Sequence, residues 1–220
     1  MKKLILILFL IPLVSFAQDR NPSLKSNVLA NNLGDFAMQK IDKVYHNEFS
    51  EKVGGKAYLF DDWQMCIIKT TYDNGYTFSI PCNYNLFSDR FEMKVDDELY
   101  YLRKDIVVEI RYGDRVFKPT PVTYNKDIKN YVEVLGTGEK FDLVKQYWLR
   151  VKDVQSTTSL GLYEKKVTVK DDRYFMDDEN KLTEVPNSRR KIYEALGMSK
   201  EERKDFDGNI KKNEDLVKAL

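Results

Sequence analysis

Between Lys56 and Val185 short aromatic and β-branched runs recur about every ten residues, separated by polar turns. They are Met65–Thr70, Tyr76–Ile80, Leu99–Leu102, Ile106–Ile110, Arg115–Phe117, Tyr131–Leu135 and Tyr147–Val151. Asp96-Asp97, Gly113-Asp114 and Asp177-Asp178-Glu179-Asn180 supply turn chemistry between or after them. No run is long enough for an ordinary helix, and runs of this length and spacing are those of strands. The expected fold is therefore mainly β (α+β): an antiparallel meander forming a sandwich, roll or open barrel over residues 51–185, followed by a short helical C-terminal tail. Lys118-Pro119-Thr120-Pro121 is expected at a strand end or a crossing, since proline cannot donate to a ladder.

The flanks read differently. Residues 18–50 are polar and partly helical in pattern, with Phe36, Ala37, Ile41, Val44 and Tyr45 following a possible cap at Asp35. In the tail, residues 186–220, Ser188 can cap a helix carrying Ile192, Tyr193 and Leu196, with Gly197 just past its end. Ser199 and Glu202 form a capping box, and Asn213-Glu214-Asp215 can open a last short helix. The tail is expected to pack on the β domain.

Residues 1–17 have the three parts of a secretory signal peptide. Met1-Lys2-Lys3 is the basic start, Leu4 to Val14 the apolar stretch, and Ser15-Phe16-Ala17 places small residues before a cut at Gln18. The apolar stretch spans only about 16 Å as a helix, roughly half a bilayer core, so no transmembrane anchor is expected after cleavage. Cleavage removes two of the 36 basic residues and none of the 35 acidic ones, so the mature charge is 34 − 35 = −1. Such a balance is unlike that of a nucleic-acid binder, which gains affinity by neutralising phosphates. The 42% hydrophobic and 13% aromatic content is that of a chain with a packed core. The expected location is the periplasm or the cell surface.

Export permits disulfides, and Cys66 and Cys82 are the two cysteines of the chain. Asp73-Asn74-Gly75 lies between the runs that carry them, a strong hairpin signal. A three-residue loop at 73–75 pairs positions that sum to 148, as 66 and 82 do. A direct cross-strand Cys66–Cys82 disulfide is expected.

Chemistry is sparse. His46 is the single histidine, so neither a His-rich metal site nor a typical Ser-His or Cys-His set is available, and its surroundings, Asn47 and Glu48, suit a surface residue. Asp61 and Asp62 beside Trp63 are the best candidates for paired carboxylates, but adjacent residues on a strand face opposite sides. Arg203 to Glu214 places Asp205, Asp207, Gly208, Ile210 and Glu214 at EF-hand positions 3, 5, 6, 8 and 12, yet Arg203 and Lys211 occupy positions 1 and 9 and repel a dication. Leu135-Gly136-Thr137-Gly138 lacks the third glycine and following helix of a nucleotide loop and reads as a hairpin turn. Lys165-Lys166-Val167-Thr168-Val169-Lys170 is a basic alternating strand, with Val167 and Val169 inward and Lys166, Thr168 and Lys170 outward: a solvated face, or a surface for an anionic partner. Asp89-Arg90-Phe91, Asp114-Arg115-Val116-Phe117 and Asp172-Arg173-Tyr174-Phe175 look alike but are unevenly spaced, and each reads as a turn entering a strand.

Three segments, Gly55-Lys56-Ala57-Tyr58-Leu59-Phe60-Asp61-Asp62-Trp63, Asn83-Tyr84-Asn85-Leu86-Phe87-Ser88-Asp89 and Lys211-Lys212-Asn213-Glu214-Asp215-Leu216, resemble those of a family of exported Gram-negative envelope proteins with no assigned activity. The resemblance implies export and a β body with a helical tail. It carries over no catalytic residue, and Cys66 and Cys82 lie outside its pattern. The expectation is an exported, non-enzymatic binding or structural module of the envelope, with no catalytic residue, no metal site and no cofactor, whose partner is an envelope protein or ligand. The alternative is a carboxylate-dependent hydrolase acting on glycan or peptide.

Overall fold

A computed structural model describes residues 38–40, 57–71, 75–96, 98–121, 129–155 and 163–220, with backbone alone for 38–40, 153–155 and 163–165. The strands are β1 (Met38–Lys40), β2 (Gln64–Thr70), β3 (Thr77–Asn85), β4 (Arg90–Val95), β5 (Glu98–Leu102), β6 (Val107–Tyr112), β7 (Arg115–Pro119), β8 (Tyr131–Thr137), β9 (Asp142–Gln155), β10 (Tyr163–Met176) and β11 (Leu182–Glu184). The helices are α1 (Arg189–Ala195), α2 (Lys200–Asp205) and α3 (Asn213–Lys218), and a 3-10 turn covers Lys104–Ile106. This is the mainly β, antiparallel architecture expected, in one sheet ordered β1-β5-β4-β3-β2-β6-β7-β8-β9-β10-β11.

Two meanders meet at β2, which pairs with both β3 and β6. β5 and β6 are joined through residues 103–106 alone, although β4, β3 and β2 lie between them in the sheet. Four strand spacings in a flat sheet come to about 19 Å, more than a connection coiled into a 3-10 turn can cover. The sheet is therefore rolled, and aromatic side chains meet across the roll. Phe91 of β4 lies 5.2 Å from both Phe117 of β7 and Tyr131 of β8, and Tyr84 of β3 lies 6.0 Å from Tyr131. Outside the core, Asn130 N–H donates to Asp89 Oδ2 at 2.9 Å and binds the β3–β4 turn to the start of β8.

The strict alternation of β2 follows from this geometry: Cys66, Ile68 and Thr70 are buried, while Met65, Ile67 and Lys69 face out. Cys66 and Cys82 form the disulfide, with Cα atoms 5.7 Å apart and no exposed surface. Its register corrects the sequence reading. Cys66 faces Ile80 and Gln64 faces Cys82, so paired positions sum to 146 and the bridge is diagonal. The cause is at the turn, where Thr70 directs both its N–H, at 3.0 Å, and its hydroxyl, at 2.9 Å, to the Tyr76 carbonyl. A wider loop results. A shift of two residues keeps each side chain on its face, so both cysteines still point inward. Pro81 falls one residue before the β3–β4 ladder starts at Cys82, which spares that ladder a missing donor.

A second correction concerns the N-terminal segment. The helical pattern over 36–45 is interrupted by β1, which pairs Met38, Gln39 and Lys40 with Leu102, Tyr101 and Tyr100 of β5. Strand pairing overrides a short local helical pattern. The signal segment, Asp35 and His46 lie outside the described residues.

The tail behaves as its caps predict. Ser188 Oγ accepts from Lys191 N–H, Gly197 adopts φ 69°, and the Ser199–Glu202 capping box closes in both directions. Ile192, Ile210 and Leu216 form a second core with Leu143 of β9 and Phe175 of β10. Gly136 and Gly138 make room for this docking: a Cβ at Gly136 would collide with Val217, and one at Gly138 with Leu220.

Candidate binding surface

β9 and β10 are the longest strands, 14 residues each, and neither contains glycine or proline. β8 accompanies β9 only as far as Lys145, and β11 accompanies β10 only from Tyr174. Between those limits β9 and β10, among the described residues, have ladder partners only in each other, as a two-stranded ribbon.

The ribbon's two faces are unlike. On one, Leu143 and Phe175 pack under the tail, and Tyr147 and Leu149 join the body core. Leu149 and Val167 also contact the segment around Ala57 and Tyr58. The charges of this face are engaged: Lys145 Nζ lies 3.6 Å from Asp171, and Arg173 donates to Lys211 O at 2.9 Å and Asn213 Oδ1 at 3.1 Å. Val151 and Val169 are 47% and 43% exposed. The expectation that Val167 and Val169 both point inward holds for their face but not for full cover: Val169 pairs with Leu149 and lines an open groove beside Tyr58 and Phe60, so it stays partly exposed.

The opposite face carries three successive rungs: Trp148 opposite Lys170, Arg150 opposite Thr168, and Lys152 opposite Lys166. Arg150, Lys152, Lys166 and Lys170 are exposed, and their side chains make no hydrogen bond or ion pair among the described residues. Trp148 is half-buried, oriented by its Nε1–H, which donates to Asp172 Oδ2 at 2.8 Å. Beside it an open groove of about 550 Å³ is lined by Phe87, Lys129, Trp148, Val151 and Tyr174, among others.

Elsewhere the polar groups serve the fold. Glu92, 1% exposed, accepts from Tyr58 Oη at 2.6 Å, Asn85 Nδ2 at 3.0 Å, Arg90 Nε at 3.1 Å and Ser88 Oγ at 3.3 Å. Glu133 accepts a forked pair from Arg115 at 2.6 and 2.9 Å and the Tyr147 hydroxyl at 2.5 Å. Burial, reinforced by the neighbouring Glu133, pushes the Tyr147 phenol up. Asp89 accepts from the Tyr84 hydroxyl, and burial raises its carboxyl above the usual range against the pull of that bond. Burial raises Tyr84 and Tyr131 as well, each reinforced by Asp89. These carboxylates are already enclosed by donors from the chain itself.

The sequence-predicted sites fall into place accordingly. Asp61 and Asp62 are exposed on a bend rather than a strand. That bend is held by Asn83, whose Nδ2 donates to Phe60 O at 2.9 Å and Asp62 O at 3.3 Å, and by the Tyr112 hydroxyl on Asp62 O at 2.5 Å. Trp63 has Lys94 Nζ 4.4 Å from its ring centroid and packs with Tyr58 in an edge-type contact at 5.3 Å, so one face is already taken. Asp205, Asp207 and Glu214 do not converge: among the described residues no group of three His, Cys, Asp or Glu side chains is placed to hold a metal ion, and Ile210 of that segment is fully buried. Gly136 and Gly138 end β8 beneath the tail. Among the described residues no helix is long and apolar enough to cross a membrane. Sequence reasoning found the Lys166–Lys170 half of the basic face and missed Arg150 and Lys152, which join it only through the pairing of β9 with β10.

The chain matches no protein-family model, no curated protein and no solved structure.

Proposed function

We propose that the protein is an exported, non-enzymatic binding module of the cell envelope that works through the β9–β10 ribbon. The observation that carries this reading is the contrast within the ribbon: one face packs over part of its length on the body and the tail, while the other presents to solvent an oriented tryptophan and four cations that have no partner among the described residues. Export is supported by the signal-peptide pattern of residues 1–17 and by the buried disulfide, a bond that persists in oxidising compartments. The resemblance to exported envelope proteins points the same way. The hydrolase alternative loses its best residues, since Asp61 and Asp62 sit on an exposed bend and Trp63 is covered by Lys94.

The test is a photo-crosslinking residue introduced at Thr168 or Lys170, both on the cation face, with a control at Glu201 on α2, in cells exporting the protein. Discrete envelope adducts from the two ribbon positions, absent from the control, are expected. Adducts equal at all three positions, or none from the ribbon, would overturn the reading. So would recovery of uncleaved Met1 on protein from the envelope fraction.

A further inference from the structure

We infer that the outward face of the β9–β10 ribbon binds a linear acidic polysaccharide, with Arg150, Lys152, Lys166 and Lys170 facing its anionic groups and Trp148 stacking on one of its sugar rings. The inference rests on the binding-module reading and names the ligand class for it.

Three observations carry it. The first is like-charge pairing. Lys152 and Lys166 are direct cross-strand partners, both exposed. Like charges so placed destabilise a sheet, and an anion from outside relieves the repulsion. Among the described acidic side chains of this face, Asp172 already accepts from Trp148. The charge is also local, since the mature chain carries a net −1 (34 − 35).

The second observation is shape. The cations follow two antiparallel neighbouring strands over three rungs, a track about 14 Å long and about 5 Å wide. Such a track matches a linear polyanion lying along the ribbon.

The third is the tryptophan. The Asp172 bond holds the indole at the base of the track, beside Lys170. A large flat ring with a negative face suits the C–H side of a sugar ring, and fixing it beforehand lowers the entropy lost on binding. Arg150 adds a planar fork matched to a carboxylate.

The experiment measures binding of the full mature protein to size-defined polygalacturonate, with dextran, inorganic polyphosphate and phosphatidylglycerol vesicles as separate arms. Polygalacturonate should bind and dextran should not, and added salt should weaken binding because the contacts are exposed. Lys152→Glu and Lys166→Glu should each lower affinity by about tenfold, a change of about 1.4 kcal/mol. Lys200→Glu, on α2, should leave it unchanged. Trp148→Leu should weaken polygalacturonate binding and spare that of polyphosphate, which has no ring. Circular dichroism and the thermal midpoint check that each variant folds. Unchanged affinity in the lysine variants, equal loss for both polyanions in Trp148→Leu, or binding to vesicles without polygalacturonate would overturn the inference. Ribbon-specific crosslinks in cells without polygalacturonate binding would leave the binding module standing and remove this ligand.

Discussion

The rolled body and the ribbon are both antiparallel, both alternate along each strand, and both carry charged residues among apolar ones. They differ in where those charges end. In the body, Glu92 and Glu133 are buried and enclosed by tyrosine, arginine and asparagine donors, and aromatic rings from β3, β4, β7 and β8 meet across the interior. In the ribbon one face packs on the body and the tail over part of its length, with Lys145 and Arg173 engaged, while the other leaves four cations to solvent. A carboxylate already surrounded by donors cannot readily be a reactive group, whereas an unpaired row of cations can meet a ligand without first breaking the fold. Enclosed charge and solvent-facing charge are thus placed in separate parts of one sheet.

That separation is open to direct attack. The largest effect is expected from Phe117→Ala. Phe117 is 1% exposed and lies 5.2 Å from Phe91 across the roll, so its removal should cost about 3–5 kcal/mol in urea unfolding. A loss below 1 kcal/mol would mean that the roll does not depend on its aromatic centre. Next comes the disulfide, which spans 16 residues of chain separation. Replacing both cysteines by alanine should cost about 3 kcal/mol by the chain-entropy argument, and thiol labelling of unreduced, denatured protein should find no free cysteine. Gly136→Ala tests the tail. The added methyl meets Val217 and should cost about 1–3 kcal/mol, read in the thermal midpoint and in faster proteolysis after residue 186.

Alkaline pH separates the two regions without mutation. Burial raises the phenols of Tyr84, Tyr131 and Tyr147 above their ordinary value of 10.0. For an acid whose folded pKa is raised, the unfolded state loses its proton first as pH increases. Stability is therefore held below pH 10 and falls above it, by about 1.4 kcal/mol per pH unit for each phenol that remains protonated in the fold. Tyrosinate absorbance should rise together with unfolding, not before it. The smallest effect belongs to the ribbon: Lys166→Glu replaces a repulsive cross-strand pair with an attractive one and should raise stability by about 0.2–1 kcal/mol. A substantial loss would mean that the lysine contributes to the fold.

The sequence shows the strands of the body because burial on one side of a sheet imposes a period of two, visible in Cys66, Ile68 and Thr70 of β2. It shows the helix caps for a similar reason, since Ser199 and Glu202 satisfy local backbone groups. Register is less visible. The β2–β3 hairpin shifts by two residues because Thr70 closes onto Tyr76, an interaction that turn composition does not encode. β1 is less visible still, because a three-residue strand is decided by its partner, β5. The basic face is half readable. Lys166 and Lys170 alternate within one strand, but Arg150 and Lys152 reach the same surface only because residue 152 pairs with residue 166 across the ribbon, a matter of long-range register.

The order of the strands has a consequence for self-association. The outermost members of the sheet are β1 at one side and β11 at the other, and each is three residues long. A second copy of the chain seeking to extend the sheet at either side finds only a short row of backbone donors and acceptors to pair with. Where longer stretches of backbone lie open, along the ribbon, the lysines and arginine set like charge against like charge as two copies approach. A protein with this much strand can therefore remain dispersed at high local concentration, and neutralising the ribbon's cations is the change most apt to make it aggregate.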